Sequence, residues 1–318
     1  MTRSVLITGA GGYLGRLLVE SLAAAPETLE EIVATDVREP DTQLPGVTYI
    51  TLDVRGPDLA KALGDYVVDT VVHLAAIVTP GRRPDREREY SVDVEGTRNV
   101  LESCVAAGVG KVIVTSSGAA YGYHADNPEW LDENDALRGN REFAYSDHKR
   151  QVEEMLGSWR VEHPSLAQLV FRPGTILGRT TRNQITDLFD RRFMLGIRGS
   201  PSPFVFIWDL DVVECLRRGI FTGVTGTFNL AGDGAVTARQ LAERMGKRYL
   251  ELPAWLVRAT LSALRRLGLT QYGPEQVDFL RFRPVLSNRR LKTEFGYTPR
   301  RTSAETFDLF WAARDVTS

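Results

Sequence analysis

Cysteine is nearly absent from this 318-residue chain. Cys104 and Cys215 are the only two, far apart and in no CxxC pattern. They cannot frame a small disulfide-stapled fold, and they point to a reducing compartment. Histidine is scarce as well. His73, His124, His148 and His163 show no ligand spacing and have no cysteine neighbours, so no metal site is expected. An excess of one charge sign is also missing: 39 Lys and Arg stand against 41 Asp and Glu, a net charge of −2. That balance gives no support for nucleic-acid binding or a basic membrane surface. No stretch approaches about 18 uncharged apolar residues, so no bilayer span is expected. The N-terminus runs from Met1-Thr2-Arg3 straight into a short apolar run that glycine interrupts, which is not a signal-peptide pattern. The expected location is the cytosol. What is present is ordinary globular composition, 43% hydrophobic and 25% charged. It suits one large α/β domain or a domain with a smaller lobe.

Short apolar runs alternate with amphipathic stretches. Residues 4–8, 31–36, 47–53, 70–74, 111–116 and 166–172 are rich in β-branched residues and read as nearly continuous apolar runs. Strands buried on both faces of a parallel sheet look like that. Between them lie helix patterns at 13–25, 59–63, 90–107 and 144–162. Strand alternating with helix predicts βαβ units and a Rossmann-like, doubly wound parallel sheet. After Arg172 the rhythm breaks. A short strand leading into a helix is predicted within 204–221, a further strand at 226–231, and helices at 237–246 and 256–267; the tail 283–299 shows no strong period. The expected division is a nucleotide-binding domain over 1–176, to which 204–232 return. A smaller substrate-binding lobe then comprises 177–203 and 233–318 and closes over the carboxyl edge of the sheet, where ligands of such folds sit.

The first strand runs into Thr8-Gly9-Ala10-Gly11-Gly12-Tyr13-Leu14-Gly15. A glycine-rich turn from strand to helix lets the backbone approach a pyrophosphate, and the new helix offers free N–H groups and a positive dipole end. A tight turn alone would use the same glycines, but this one follows an apolar strand and opens an amphipathic helix. The second strand ends in Asp36, 21 residues after Gly15. An acid there accepts hydrogen bonds from the adenosine ribose and repels a 2′-phosphate, favouring NAD over NADP. Arg16 and Arg38 lie near enough in sequence to serve a phosphate instead. Asp53, ending the third strand, is placed to reach the adenine amino group or to act as a turn residue.

Tyr145 and Lys149 form a YxxxK pair on a predicted helix, where residues four apart share one face. A lysine cation beside a phenol lowers its pKa, so the tyrosine can exchange a proton with an alcohol or carbonyl. The pair follows the fifth strand, which delivers Ser117 to the sheet edge. The hydroxyl of Ser117 can hydrogen-bond a substrate oxygen, or merely cap a turn.

Together these residues resemble the extended short-chain dehydrogenases, the NAD-dependent epimerase/dehydratase family. The marks are TGAGGYLG at 8–15, Asp36, Asp53-Val54, HLAA at 73–76, EGTRNVL at 95–101, SSGAAYG at 116–122, YSDHK at 145–149, FRPGTILG at 171–178 and WDLDVV at 208–213. The resemblance implies Ser117, Tyr145 and Lys149 as the catalytic group. It implies a cofactor lining from Gly9, Gly11, Gly12, Tyr13, Leu14, Gly15, Asp36 and Val37. Asp53, Val54, Leu74, Ala75, Ala76, Thr115 and Ser116 continue that lining, with Tyr145, Lys149, Pro173, Gly174 and Thr175. It also implies a homodimer through the helices at 90–107 and 144–162.

The departures concern the substrate. Many nucleotide-sugar epimerases carry an asparagine two residues after the Arg-Pro pair, where this chain has Thr175, and Arg-Asp where it has Phe204-Val205. Two phosphate anchors are thus missing. The Asp-Glu pair of sugar-nucleotide 4,6-dehydratases is replaced by Gly118-Ala119, which argues against that chemistry, and the family's asparagine before Val-x-Gly-Thr is Asp93. Phe204, Phe206, Trp208, Trp255 and Leu256 are either core or an apolar substrate wall. Arg172, Arg179, Arg182 and Arg283 are either anion sites or ion pairs. The expected activity is NAD-dependent epimerisation of a small-molecule substrate, a nucleotide-linked sugar. The alternatives are a net NAD(P)-dependent dehydrogenase or reductase on a more hydrophobic alcohol, and a non-catalytic NAD-sensing protein.

Overall fold

The computed structural model describes residues 2–78, 85–270 and 273–315. Eleven strands occur among them: β1 (Ser4–Thr8), β2 (Glu31–Asp36), β3 (Thr48–Thr51), β4 (Thr70–His73), β5 (Lys111–Thr115), β6 (Ala167–Pro173), β7 (Thr175–Leu177), β8 (Phe193–Ile197), β9 (Phe206–Trp208), β10 (Gly226–Leu230) and β11 (Arg248–Leu252). Seven form the central sheet in the order β10-β6-β5-β4-β1-β2-β3, and every pairing in it is parallel. The α/β, Rossmann-like sheet read from the sequence is therefore the one found.

Period-two alternation explains why the strands read as unbroken apolar runs. Val5 and Ile7 point into one core, Leu6 into the other. The first core is closed by the helices Tyr13–Ala24 and Asp209–Phe221, through Leu18, Leu22, Val212 and Leu216. The second is closed by Asp58–Asp65, Gly96–Ala107 and Ala144–Glu162, through Leu59, Val100, Leu101 and Val152. From β1 the chain winds outward to β3, then crosses to β4 and winds the other way. The reversal leaves a crevice at the carboxyl ends of β1 and β4, the usual ligand position in such sheets.

Beyond β6 the chain builds a second layer that sequence patterning only partly foretold. β7 pairs with β9 and β8 with β11, all parallel. Phe189, Phe204, Phe206, Phe307 and Phe310 form the core of this layer. The helix Ser303–Asp315 and the pair β8–β11 were not read from the sequence, and the tail 283–299 contains the short helix Arg289–Thr293. The segment read as one helix from Tyr90 to Ala107 is interrupted. A helix at Arg86–Tyr90 passes through a π-helical turn, Ser91–Glu95, into Gly96–Ala107. The turn carries Asp93.

Candidate active site

The cavity at the switch point has a volume of about 470 Å³ and runs from the β1 turn to the second layer. Gly9, Gly12, Tyr13, Leu14 and Gly15 form one end. Gly9 has a φ of +69°, and a Cβ there would lie 2.6 Å from the backbone nitrogen of Ala75. At Gly15 a Cβ would sit 2.2 Å from the Gly9 carbonyl oxygen. Both positions exclude a side chain because backbone packs on backbone. Gly12 precedes the helix Tyr13–Ala24 with no side-chain cap, so the first amides are free to meet an anion.

Asp36 accepts a hydrogen bond from the Gly11 amide at 3.1 Å, at the tip of β2. Neither residue lines the cavity, and Val37 beside them is exposed. Leu74 and Ala76 line the cavity after β4, whereas Ala75 packs against Gly9. Asp53 and Val54 lie off the cavity wall. Asp53 is engaged by Arg55 Nε at 2.9 Å, and Val54 is buried in the core. The Arg55 guanidinium holds the Asp53 carboxyl below its usual range. His73 of the HLAA segment is structural: it bridges Thr8 at 2.8 Å and Thr97 at 3.0 Å, and burial pushes its pKa down to about 3.

Thr115, Ser116, Ser117, Tyr145 and Lys149 meet on the middle wall. Ser117 ends the loop after β5, and its Oγ also accepts from the Ala119 amide at 3.1 Å, so it caps a turn and faces the cavity. The Ser117 side chain acts on Tyr145 so as to lower its pKa. Lys149 Nζ donates to the Thr115 carbonyl at 3.0 Å and lies 5.7 Å from the Tyr145 ring centroid. The expected lowering of the Tyr145 pKa is not realised in the chain alone. Loss of hydration pushes it up to about 12, opposed by the Ser117 side chain and reinforced by Asp93. Burial lowers the Lys149 pKa, while Asp93 and Glu153 act the other way. Asp93 is buried; it accepts from the Ile77 amide at 2.8 Å, and its other oxygen lies 3.4 Å from His148 Nδ1.

Pro173, Gly174 and Thr175 continue the wall where β6 passes into β7. The four arginines considered as anion sites separate here. Arg172 is buried against Glu153, with Nη2 to Oε2 at 2.6 Å, and also donates to Tyr121 at 2.7 Å. It is a structural ion pair. Burial lowers its pKa, but Glu153 and Tyr121 outweigh that and hold it charged. Arg179 lines a separate outer cavity, and Arg182 the main one. Arg283 also lines the main cavity, buried between Phe204 at 4.0 Å and Phe279 at 4.3 Å from its guanidinium carbon to the ring centroids. Its Nε and Nη2 find no acceptor among the described residues. Burial pushes its pKa down to about 10.

Of the aromatic residues considered for an apolar wall, Phe204 lines the cavity. Phe206 and Trp208 are buried away from it, and Trp255 and Leu256 are on the outer surface. Tyr123 and Phe279 complete the wall and were not singled out in the sequence. Their rings contact each other, with centroids 4.9 Å apart, across a separation no local pattern reports.

This sheet, with its switch-point cavity and glycine turn, defines a Rossmann-like α/β protein. A model of the NAD dependent epimerase/dehydratase family matches residues 5–198, and the chain belongs to that family. An uncharacterized protein of Mycobacterium tuberculosis is 26% identical over 98% of this chain and 84% of its own length. N-acetyl-alpha-D-glucosaminyl-diphospho-ditrans,octacis-undecaprenol 4-epimerase of Escherichia coli is 34% identical over 59% of this chain and 53% of its own. Among solved structures, the UDP-glucose 4-epimerase of Thermotoga maritima with UDP-glucose superposes with a TM-score of 0.76, at 18% identity and covering 99% of both chains. That of Thermus thermophilus in complex with NAD gives 0.73, at 21% identity over 99% of this chain and 100% of that one. These likenesses bear on the fold.

Proposed function

We propose that the chain is an NAD-dependent sugar epimerase acting on a sugar that carries a diphosphate. A nicotinamide dinucleotide fits the cavity: the glycine turn admits no side chain at Gly9 or Gly15, free amides open the helix after it, and Asp36 stands at the tip of β2. When bound, NAD supplies the hydride acceptor. Ser117 would hold the substrate hydroxyl, and Tyr145 would take its proton as the carbon is oxidised and return it on reduction. The Lys149 cation favours the phenolate, and the Thr115 carbonyl fixes where that cation sits.

The observation that carries the substrate reading is Arg283. A buried guanidinium with two unsatisfied donors is costly unless an anion completes it. Its place in the cavity wall supplies an anchor that Thr175 and Phe204-Val205 do not. The aromatic flank of Phe204, Tyr123 and Phe279 supports the second reading, a net dehydrogenase on a hydrophobic alcohol. Incubation with UDP-glucose, UDP-N-acetylglucosamine and their 4-epimers, followed by NMR of the sugar, separates the two. Inversion at one carbon without net NADH supports the epimerase. Stoichiometric NADH from apolar secondary alcohols, with no inversion of any sugar, overturns it.

A further inference from the structure

The helix Ala254–Arg266 packs on the protein along one narrow side. Val257 is its only buried residue, and Leu261 joins it against Val277 and Leu280. The outer side is apolar. Trp255 is 70% exposed, and Leu267, just past the helix, is 71% exposed. At about 100° per residue, Trp255, Leu256, Ala259, Ala263 and Leu267 fall within an arc of about 120°. Four of the thirteen exposed large apolar side chains among the described residues are Trp255, Leu256, Leu267 and Leu269. Single exposed apolar residues are ordinary, but a contiguous set marks a contact surface.

The charge around this face names the contact. Between Glu251 and Glu275 the sequence has Arg258, Arg265 and Arg266 and no acid. Arg258 and Arg265 border the apolar arc and reach Asp278 at 2.7 Å and Glu275 at 3.2 Å across exposed ion pairs, which hold weakly. Arg266 lies inside the arc. Two copies meeting face to face about a twofold axis would bring this helix, with three arginines and no acid of its own, against itself.

We propose that the helix Ala254–Arg266 lies on an anionic lipid surface, with Trp255, Leu256 and Leu267 in the headgroup boundary and the arginines at the phosphates. An apolar face bearing Trp and Leu beside arginines is the pattern of helices that rest in the membrane plane without crossing it. No helix among the described residues is long and apolar enough to cross a membrane, so the contact is peripheral. It lies one helix away from the cavity: in Gln276–Arg281, Val277 supports the docking helix while Phe279 lines the cavity. The inference stands apart from the proposed reaction and is tested without it.

The experiment is sedimentation of the full chain with vesicles of phosphatidylglycerol and phosphatidylcholine, and with vesicles of phosphatidylcholine alone. Binding to the first and not the second is expected, and the Trp255→Ser, Leu267→Ser double variant should weaken it by at least about tenfold. Both side chains are exposed, so circular dichroism should show the variant folded. Arg266→Glu should weaken binding to the anionic vesicles as well. No binding to anionic vesicles, equal binding to neutral ones, or unchanged binding by the double variant overturns the proposal. So does a loss of self-association in the double variant with vesicle binding unaltered, which would assign the face to a second copy.

Discussion

The guanidinium of Arg283 lies over the ring of Phe204 at 4.0 Å, and its Nε and Nη2 have no acceptor among the described residues. The cavity wall thus holds a charge that the described residues do not complete. Arg283→Met keeps the stem between the two rings and removes the charge. The melting temperature should not fall, because an uncompensated buried charge disfavours the fold. The dissociation constant for UDP, read by calorimetry, should rise by about 10- to 100-fold, the loss of a charge-assisted hydrogen bond. A lower melting temperature with unchanged UDP binding would make Arg283 a structural residue.

Asp93 acts on Tyr145 and Lys149 from the π-helical turn. Its charge raises the pKa of Tyr145 and of Lys149. Asp93→Asn removes that charge and keeps an acceptor for the Ile77 amide. The Tyr145 pKa then falls, and the phenolate is populated at lower pH. The rising limb of kcat/KM for alcohol oxidation should move to lower pH, by about half a unit to one unit. An unmoved limb would show that Asp93 serves only the backbone.

Asp36→Asn retains an acceptor for the Gly11 amide but loses the charge. The preference for NAD over NADP, measured as a ratio of dissociation constants, should drop by about tenfold or more. An unchanged ratio would place the discrimination elsewhere, with Arg16 or Arg38.

Glu153→Gln strips the partner from Arg172, which is held at 2.6 Å in the core. Chemical denaturation should show a loss of about 3–5 kcal/mol. Destabilisation far below that range would reopen Arg172 as a ligand-binding residue.

Where local pattern and tertiary role coincide, the sequence was legible. β1, β2, β4, β5 and β6 are buried on both faces, so apolar runs marked them, and the helix Ala144–Glu162 was read with the boundaries it has. Ser117, Tyr145 and Lys149 were placed from motif spacing, and they do share one wall. β8 and β11 are short and partly exposed, with Arg248 and Glu251 in the ladder, so their pairing comes from the second layer and not from a run of residues. For Asp53 the sequence leaves an adenine contact and a turn residue both open, and it cannot show that Arg55 folds back on the carboxylate. Arg172 and Arg283 are alike as letters. One faces Glu153 across the core and the other faces a cavity, a difference made by packing between distant segments. The three arginines of the helix Ala254–Arg266, with no acid among them, disappear when charge is averaged over the chain.

Denaturing the purified protein and identifying the released nucleotide by mass and absorbance tests the central claim most directly. The account predicts NAD, near one per chain, retained through purification because an epimerase recycles it within a single turnover. Release of NADP, or an empty protein that fails to bind added NAD, would contradict it.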